Sequence, residues 1–516
     1  MLMTTRLRHA VMFMVSLVQK ERAGGVRPKR ASVIASGQAL SEGYLERVIS
    51  NLKSRGLVRA TRGPGGGYSL GMPPDRITLD LLLDSVGDKV KIVRCQGEGE
   101  GCISSLVGRC NSHYLWEGME RYMMHYLSNT TILDVSRNTL KELGGKGDYI
   151  YADDNATSEV CPKVRHMLGN ALLFGNFYNP SSVYGLGQKS RNIVEEARDA
   201  VIRVLDAGGY EVVFTSSGTE ANNLVFNGRK CRHIISSIEH PSVMNAAVDP
   251  ELIPVDIDGV VSLEWLEKRL SDKGGNAIVS VMLANNETGV LQPVKKVVEI
   301  AHRYGALVHT DAVQACGKIP ISVLDMGADF VTISSHKIGG IPGAGVLLFN
   351  GEKADVIPMF HGGMQERGLR AGTENVYAIY ALSLALEEMS SRLKKMDNVR
   401  KIRDLLERRL KSEVSQCVVY GARVSRLPNT TCISMPGVRS ETQLMGFDNH
   451  GIAVGIGSAC SSGKIRRSHV LSAMGVSDEC SESSIRISLG VNATPEHVGR
   501  IADCWCRIYN NFYSLS

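Results

Sequence analysis

No apolar run in the 516 residues approaches the roughly 20 that a membrane span requires, so a spanning segment is not expected. Cysteine is scarce: 12 residues, irregularly spaced, are too few for a disulfide scaffold in a chain this long. They read as thiols of a reducing compartment, which makes the cytoplasm the expected location. Low-complexity tracts and internal repeats are missing, which argues against fibrous, solenoid and long disordered architectures. The first residues, with Arg6 and Arg8 ahead of the apolar stretch Ala10 to Val18, imitate a short signal peptide, but the small-residue cleavage pattern is missing.

What remains is the composition of a globular protein, 43% hydrophobic and 22% charged. At a typical ~150 residues per domain, the length suggests about three domains. The net charge of +6 is unevenly distributed, because residues 1–147 hold 21 Lys and Arg against 13 Asp and Glu. Residues 148–516 therefore hold 38 against 40. The basic part suits a polyanionic partner, and the near-neutral part suits small-molecule chemistry. A cluster of glycine and charge from Leu143 to Asp148 marks a linker. The expected organisation is an N-terminal domain over 1–140, a linker over 141–148, a large domain over 149–376 and a smaller α+β domain over 377–516.

Beyond the linker, short apolar strand candidates alternate with helical stretches: Glu211 to Thr215, His233 to Ile238, Ala277 to Leu283, Ala306 to His309, Asp329 to Ser334 and Gly345 to Phe349. That alternation predicts a largely parallel sheet wrapped by helices. A long charged helix through Glu387, Lys394 and Arg403 is expected to follow.

Three features of the large part suit amino-acid chemistry on pyridoxal phosphate, which needs a lysine for the cofactor aldehyde, a carboxylate for the ring nitrogen and donors around the phosphate. Lys337 closes a strand and runs into Gly339-Gly340-Ile341-Pro342-Gly343, where glycines let a cofactor approach the backbone. Asp311 ends another strand and suits the ring nitrogen, with Gln314 three residues on for the ring hydroxyl. Gly218 and Thr219 follow a strand and open a helix, the position at which backbone N–H groups and the helix dipole bind phosphate. Singly, such features are common turns, caps and solvated lysines.

In order and spacing, the segments Tyr151 to Thr157, Asn179-Pro180-Ser181-Ser182, Phe214 to Asn223, Glu239-His240, Asn285 to Gly289, His309 to Gln314, Ser335-His336-Lys337, Arg367 to Thr373, Gly457-Ser458-Ala459-Cys460 and Ser484-Ile485-Arg486 resemble the cysteine desulfurases of the NifS/IscS type. The likeness runs from about Tyr149 to about Asn492. It implies a fold-type I pyridoxal-phosphate transferase that converts L-cysteine to L-alanine and passes sulfur to an iron–sulfur scaffold protein and other acceptors. It further implies that His240 stacks on the cofactor and moves protons, and that Asn286 and Arg486 hold the substrate carboxylate. Ser334, His336 and Thr373 would complete the phosphate site, Thr373 coming from the second subunit of a homodimer. Cys460, in the small-residue stretch Gly455 to Gly463 with Lys464, Arg466 and Arg467 nearby, is the expected nucleophile and persulfide carrier. Most of Cys161, Cys231, Cys316, Cys417, Cys432, Cys480, Cys504 and Cys506 are expected to behave as small hydrophobes. One departure is that Gly343-Ala344 stands where many relatives carry a lysine after the proline.

Residues 32–70 predict a helix-turn-helix with a β wing, mostly α otherwise. Ser41 would cap a helix to about Ser54, and Arg47, Lys53 and Arg55 are placed on that helix. Arg59 and Arg62 lead into the wing, so these five are the expected contacts to double-stranded DNA. The segments Ser41 to Val58, Arg62 to Leu70 and Arg94 to Gly97 resemble the winged-helix iron–sulfur-sensing repressors of the IscR kind over roughly residues 3–137. That resemblance implies a [2Fe–2S] cluster on Cys95, Cys102, Cys110 and His113, with a zinc ion as the alternative for the same donors. The spacings, six and seven residues, exceed the family's usual five. Together the halves suggest a desulfurase fused to a cluster-responsive regulator. Two other combinations remain open: a regulator whose cofactor domain senses ligand without turnover, and a desulfurase with an N-terminal docking or dimerisation module.

Overall fold

The computed structural model describes residues 5–22, 32, 42–63, 66–90, 120, 123–136, 149–274, 276–459 and 465–515. The chain divides into two compact units, Met1–Asp148 and Tyr149–Ser516.

The first unit is built from amphipathic helices. In the helix Thr5–Arg22, Leu7, Ala10, Met14, Leu17 and Val18 recur at helical spacing and are buried, so the stretch that imitates a signal sequence forms this unit's core. In the helix Glu42–Ser54, Leu45, Val48, Ile49 and Leu52 are buried against it, leaving Arg47 and Lys53 exposed on the other side. Gly56, with φ +73°, makes the turn out of that helix. An antiparallel wing follows, β1 (Val58–Thr61) on β2 (Gly67–Leu70), with Val58 opposite Leu70.

The second unit opens with β3 (Ile150–Ala152) and continues through β4 (Glu211–Thr215), β5 (Arg232–Ser236), β6 (Glu251–Ile253), β7 (Ala277–Ser280), β8 (Leu307–Asp311), β9 (Phe330–Ser334) and β10 (Gly345–Phe349). A seven-stranded sheet in the order β4-β10-β9-β8-β7-β5-β6 is parallel from β9 to β6, while β10 runs antiparallel to both its neighbours. Its inner strands β7, β9 and β10 are buried at every position, as expected of a sheet covered on both faces. Helices Pro162–Phe174, Gly185–Val204 and Val376–Glu387 pack together beside it. A second sheet joins β11 (Thr430–Ser434), β12 (Ile452–Ile456) and β15 (Ser484–Ser488) to β3 in the order β11-β15-β12-β3. The first strand of the unit is thus spent in the smaller sheet, where Ile150 lies opposite Ile452. The long charged helix is two helices, Val376–Glu387 and Met389–Glu413, meeting at Glu388. A short ribbon pairs β13 (Ser458–Ala459) with β14 (Ile465–Arg466).

Candidate active site

The carboxyl ends of β8 and β9 bring the chemistry together. Directly after β9, Ser335–Lys337 makes one 3₁₀ turn, anchored by the Ser335 N–H donating to the Ala344 carbonyl at 3.1 Å. The following backbone passes so close that a Cβ on Gly340 would lie 2.2 Å from Ser335 Oγ. Lys337 Nζ donates to the carbonyls of Asn155 and Ala156, both at 2.6 Å. Burial pushes this amine down to about 8, and the positive Arg486 acts in the same direction; Asp153, Asp154 and Asp311 oppose them.

Asp311, the last residue of β8, is buried and accepts from Asn222 Nδ2 at 2.8 Å and from the Val313 N–H at 2.9 Å. Asn222 also donates to Ser242 Oγ at 2.8 Å, and that hydroxyl lies 2.7 Å from His240 Nδ1. The Ser242 N–H donates to the same Nδ1 at 3.1 Å, so this nitrogen is an acceptor and the neutral ring carries its proton on Nε2. Burial lowers the His240 pKa, with Lys337 and His469 adding to the effect and Asp311 opposing it. A hydrogen-bonded chain therefore runs from the imidazole to the buried carboxylate.

Asn155 is a hub. Its carbonyl accepts from Lys337 and from Gln314 Nε2 at 2.9 Å, and its Nδ2 donates to Thr430 Oγ1 at 2.9 Å and to the Asn286 carbonyl at 3.1 Å. Arg486, on β15, donates to the same Asn286 carbonyl at 3.0 Å and pairs with Asp153 at 2.6 Å. Both sheets thus supply the site. Asn286 Oδ1 and Arg486 Nε are buried without a hydrogen-bond partner.

Gly218 and Thr219 open the helix Gly218–Phe226, whose Ser217 side chain accepts from the Glu220 N–H. A Cβ on Gly218 would fall 3.1 Å from Val313 Cγ2, so the helix start sits hard against the β8 and β9 ends. Ser334 is buried, while burial and the neighbouring Lys337 push His336 down to about 4. Thr373 is exposed in the loop before Val376–Glu387.

Lys337, His240, Asp311, Gln314, Asn286, Arg486, Gly218, Ser334 and His336 are thus gathered at the strand ends. The sequence reasoning missed Asn155, Asn222, Ser242 and Lys318. Asn155 stands in the stretch Tyr151 to Thr157, and Asn222 only two residues after Glu220, but neither residue type announces a buried hub. Cys460 lies outside the described residues. Its flanks run through the ribbon of β13 and β14 to a cavity of about 190 Å³ lined by Glu287, Gly457, Arg467, Ser468 and Glu482 among others. Among the described cysteines, burial pushes Cys316 up to about 12 and Cys504 up to about 11, and raises Cys231, Cys417, Cys432 and Cys506, which keeps these thiols protonated.

In the N-terminal unit Arg47, Lys53, Arg55, Arg59 and Arg62 are all exposed, and Arg55 pairs with Asp84 at 3.1 Å. Cys95, Cys102, Cys110 and His113 lie outside the described residues, as do Ser41 and the linker 141–148. Among the described residues no cluster of three metal-ligating side chains occurs, and no helix is long and apolar enough to cross a membrane.

Residues 150–501 match the family described as aminotransferase class-V, and residues 3–138 match the family described as Rrf2, iron-dependent transcriptional regulator. Cysteine desulfurase IscS of Dictyoglomus turgidum is 36% identical over 385 residues, covering 71% of this chain and 96% of that protein. A Clostridium botulinum protein of the same name is 37% identical over 390 residues, covering 71% and 96%. Among solved structures, a NifS-like protein from Rickettsia africae superimposes with a TM-score of 0.66 at 36% identity, over 70% of this chain and 99% of that one. The chain therefore belongs to the aminotransferase class-V family as a fold-type I cysteine desulfurase of the IscS/NifS kind, and carries an Rrf2-type winged-helix domain at its N-terminus.

Proposed function

We propose that the second unit releases L-alanine from L-cysteine at the Lys337 site and carries the sulfur as a persulfide on Cys460. The observation that supports this most directly is the Lys337 amine, held at the strand ends with its pKa depressed to about 8, amid Asp311, Arg486 and His240. Pyridoxal phosphate is the cofactor of this enzyme class, and the residues fit it: a helix N-terminus at Gly218 and Thr219 for phosphate, and buried orphan atoms on Asn286 and Arg486 for polar groups. When bound, it takes up the substrate amine and draws electron density away from Cα.

Lys337 would hold the cofactor aldehyde and then carry the proton from Cα. Asp311, held by Asn222 and the Val313 N–H, would serve the ring nitrogen. His240 would lie against the ring and could deliver the proton on its Nε2. Ser334, His336 and the helix start hold the phosphate, with Thr373 of a second copy completing it in a homodimer, and Gln314 meets the ring hydroxyl. Arg486 and Asn286 bind the substrate carboxylate, which takes over from Asp153 as the arginine's partner. The Cys460 thiolate attacks the substrate sulfur: the S–S bond forms, the Cβ–S bond breaks, and its electron pair returns to Cβ, which is protonated to the methyl of alanine. Sulfur then passes to an acceptor thiol or an iron–sulfur scaffold protein in the cytoplasm.

The first unit, in the same proposal, binds double-stranded DNA through Arg47, Lys53, Arg55, Arg59 and Arg62 and responds to a [2Fe–2S] cluster. Three thiolates and an imidazole, from Cys95, Cys102, Cys110 and His113, are a donor set suited to that cluster. The desulfurase proposal is tested by following alanine formation from L-cysteine. Lys337→Ala is expected to abolish it with the fold intact, and alanine released at an undiminished rate would overturn the proposal.

A further inference from the structure

A second lysine, almost completely buried, backs the Lys337 site through the shared partner Asn155. Lys318 is 1% exposed, and its Nζ donates to Gln314 Oε1 and Asn155 Oδ1, both at 2.7 Å. The local backbone dictates this. Ala315 and Cys316 N–H groups donate to the Ala312 carbonyl and the Lys318 N–H to the Ala315 carbonyl, and Gly317, with φ +77°, turns the backbone within this run of tight turns, which brings the side chains of residues 314 and 318 together. A buried amine is costly unless its hydrogens are used. Here two of them meet two amide oxygens, and both the neutral amine and the ammonium have the two hydrogens required.

The consequence falls on the amides. Gln314 Oε1 is engaged by Lys318 and Nε2 donates to the Asn155 carbonyl at 2.9 Å, so the amide cannot exchange its ends without setting donor against donor at one end and acceptor against acceptor at the other. Asn155 is fixed in the same way, since its Oδ1 accepts from Lys318 and from Asn429 Nδ2 at 3.2 Å while its Nδ2 donates to Thr430 and Asn286. One hydrogen on Gln314 Nε2 is left for a further acceptor.

We propose that Lys318 is a positioning residue that locks Gln314 as an obligate hydrogen-bond donor toward the cofactor's ring oxygen, so that the site favours that oxygen in its anionic form. This rests on the cofactor role proposed above for Gln314. The charged groups acting on Lys318 are Asp154, which draws protons to it, and Lys337, Arg392 and Arg486, which repel them; burial is the largest influence and lowers its pKa. Asp154 is itself pushed up by burial, sits 3.5 Å from Arg392 and accepts from Ser158 Oγ at 3.1 Å, so the cluster continues below Lys318. The lock holds in either protonation state, because it depends on the two hydrogens and not on the charge.

The proton that titrates in the colour change of a lysine-bound cofactor is shared between the lysine nitrogen and the ring oxygen. A donor on that oxygen therefore lowers its pKa. The test is a pH titration of the visible absorbance of the cofactor-loaded, substrate-free full chain, for the unmodified protein, Lys318→Met and Lys318→Gln, with folding checked by circular dichroism. Lys318→Met is expected to raise the midpoint by about one unit, roughly tenfold in proton affinity. Lys318→Gln, which keeps a donor, is expected to raise it less. A midpoint unchanged in whichever variant folds overturns the inference. If neither folds, a cofactor-loaded structure of the unmodified chain decides: Gln314 Nε2 against the ring oxygen with Lys318 still on Oε1 supports the lock, and a carbonyl facing the ring overturns it. An unmodified chain that gains no visible band on loading refutes the cofactor reading itself, and the lock falls with it. A band with an unmoved midpoint refutes only the role of Lys318.

Discussion

The amine of Lys337 offers the sharpest pH prediction. Its pKa stands at about 8, lowered first by burial and then by Arg486. Both influences disfavour the ammonium, so the neutral nucleophilic form is the one enriched. At pH ~7.5 about a quarter of the chains hold a neutral amine, against about one in a thousand for an ordinary lysine, an advantage of roughly two hundred-fold in capturing an aldehyde. Mixing cofactor-free protein with pyridoxal phosphate in a stopped-flow absorbance instrument reads the capture rate directly. Between about pH 6 and about pH 8 the logarithm of the rate should rise with a slope near one, then level off as the amine becomes fully neutral. Arg486→Met removes the second cause, so the break should move to higher pH while the plateau rate stays similar. A rate still climbing through about pH 10 would mean that Lys337 titrates as a solvated lysine, and the burial argument would be wrong.

Two further outcomes follow from buried and exposed charge. Glu366 accepts from Arg198 through two bonds of 3.0 Å and from the Phe214 N–H at 2.8 Å, with side chains 1% and 9% exposed and φ of +46° at Glu366. Glu366→Ala leaves the buried Arg198 with only the more exposed Glu195, 3.1 Å away, as its partner, and is expected to cost about 3 kcal/mol, the lower end for breaking a buried pair, in urea unfolding followed by circular dichroism; a loss under ~1 kcal/mol would refute this. In the first unit, the double variant Arg59→Ala, Arg62→Ala should weaken duplex binding at low salt. It should also reduce the slope of log affinity against log salt by about 0.9 for each phosphate no longer neutralised, and an unchanged slope in mobility-shift titrations would remove these residues from the interface.

The parts of this molecule legible in sequence are those whose signal is local. Strands β4, β7, β9 and β10 announce themselves as short continuous apolar runs because they are buried on both faces. β6 goes unseen: it has three residues, and Leu252 at its centre is 44% exposed at the sheet edge. Nor does sequence assign β3 to the smaller sheet, because its pairing with Ile452–Val454 spans the whole unit. The same division runs through the site. Lys337, Asp311 and His240 sit in motifs that are common one by one but that, in their combined order and spacing, resemble a known family. Lys318 does not, since a lysine in sequence reads as solvated and only tertiary packing makes it 1% exposed. Asn222 and Ser242 matter because Asn222 donates both to Ser242, 20 residues on, and to Asp311, 89 residues on. Gly339 and Gly343, which the sequence marks as points of close approach, adopt φ of +93° and +103°, with a Cβ at Gly343 falling 2.9 Å from Asn375.

The proposed path takes sulfur from cysteine at the Lys337 site to Cys460. Mass spectrometry of the full chain, digested under alkylating conditions after a single turnover with L-cysteine, tests it most directly. One added sulfur on the peptide containing Cys460, lost together with alanine release in Cys460→Ala, is the predicted result. The added sulfur on Cys161, Cys231 or Cys480 instead, or undiminished alanine from Cys460→Ala, would contradict it.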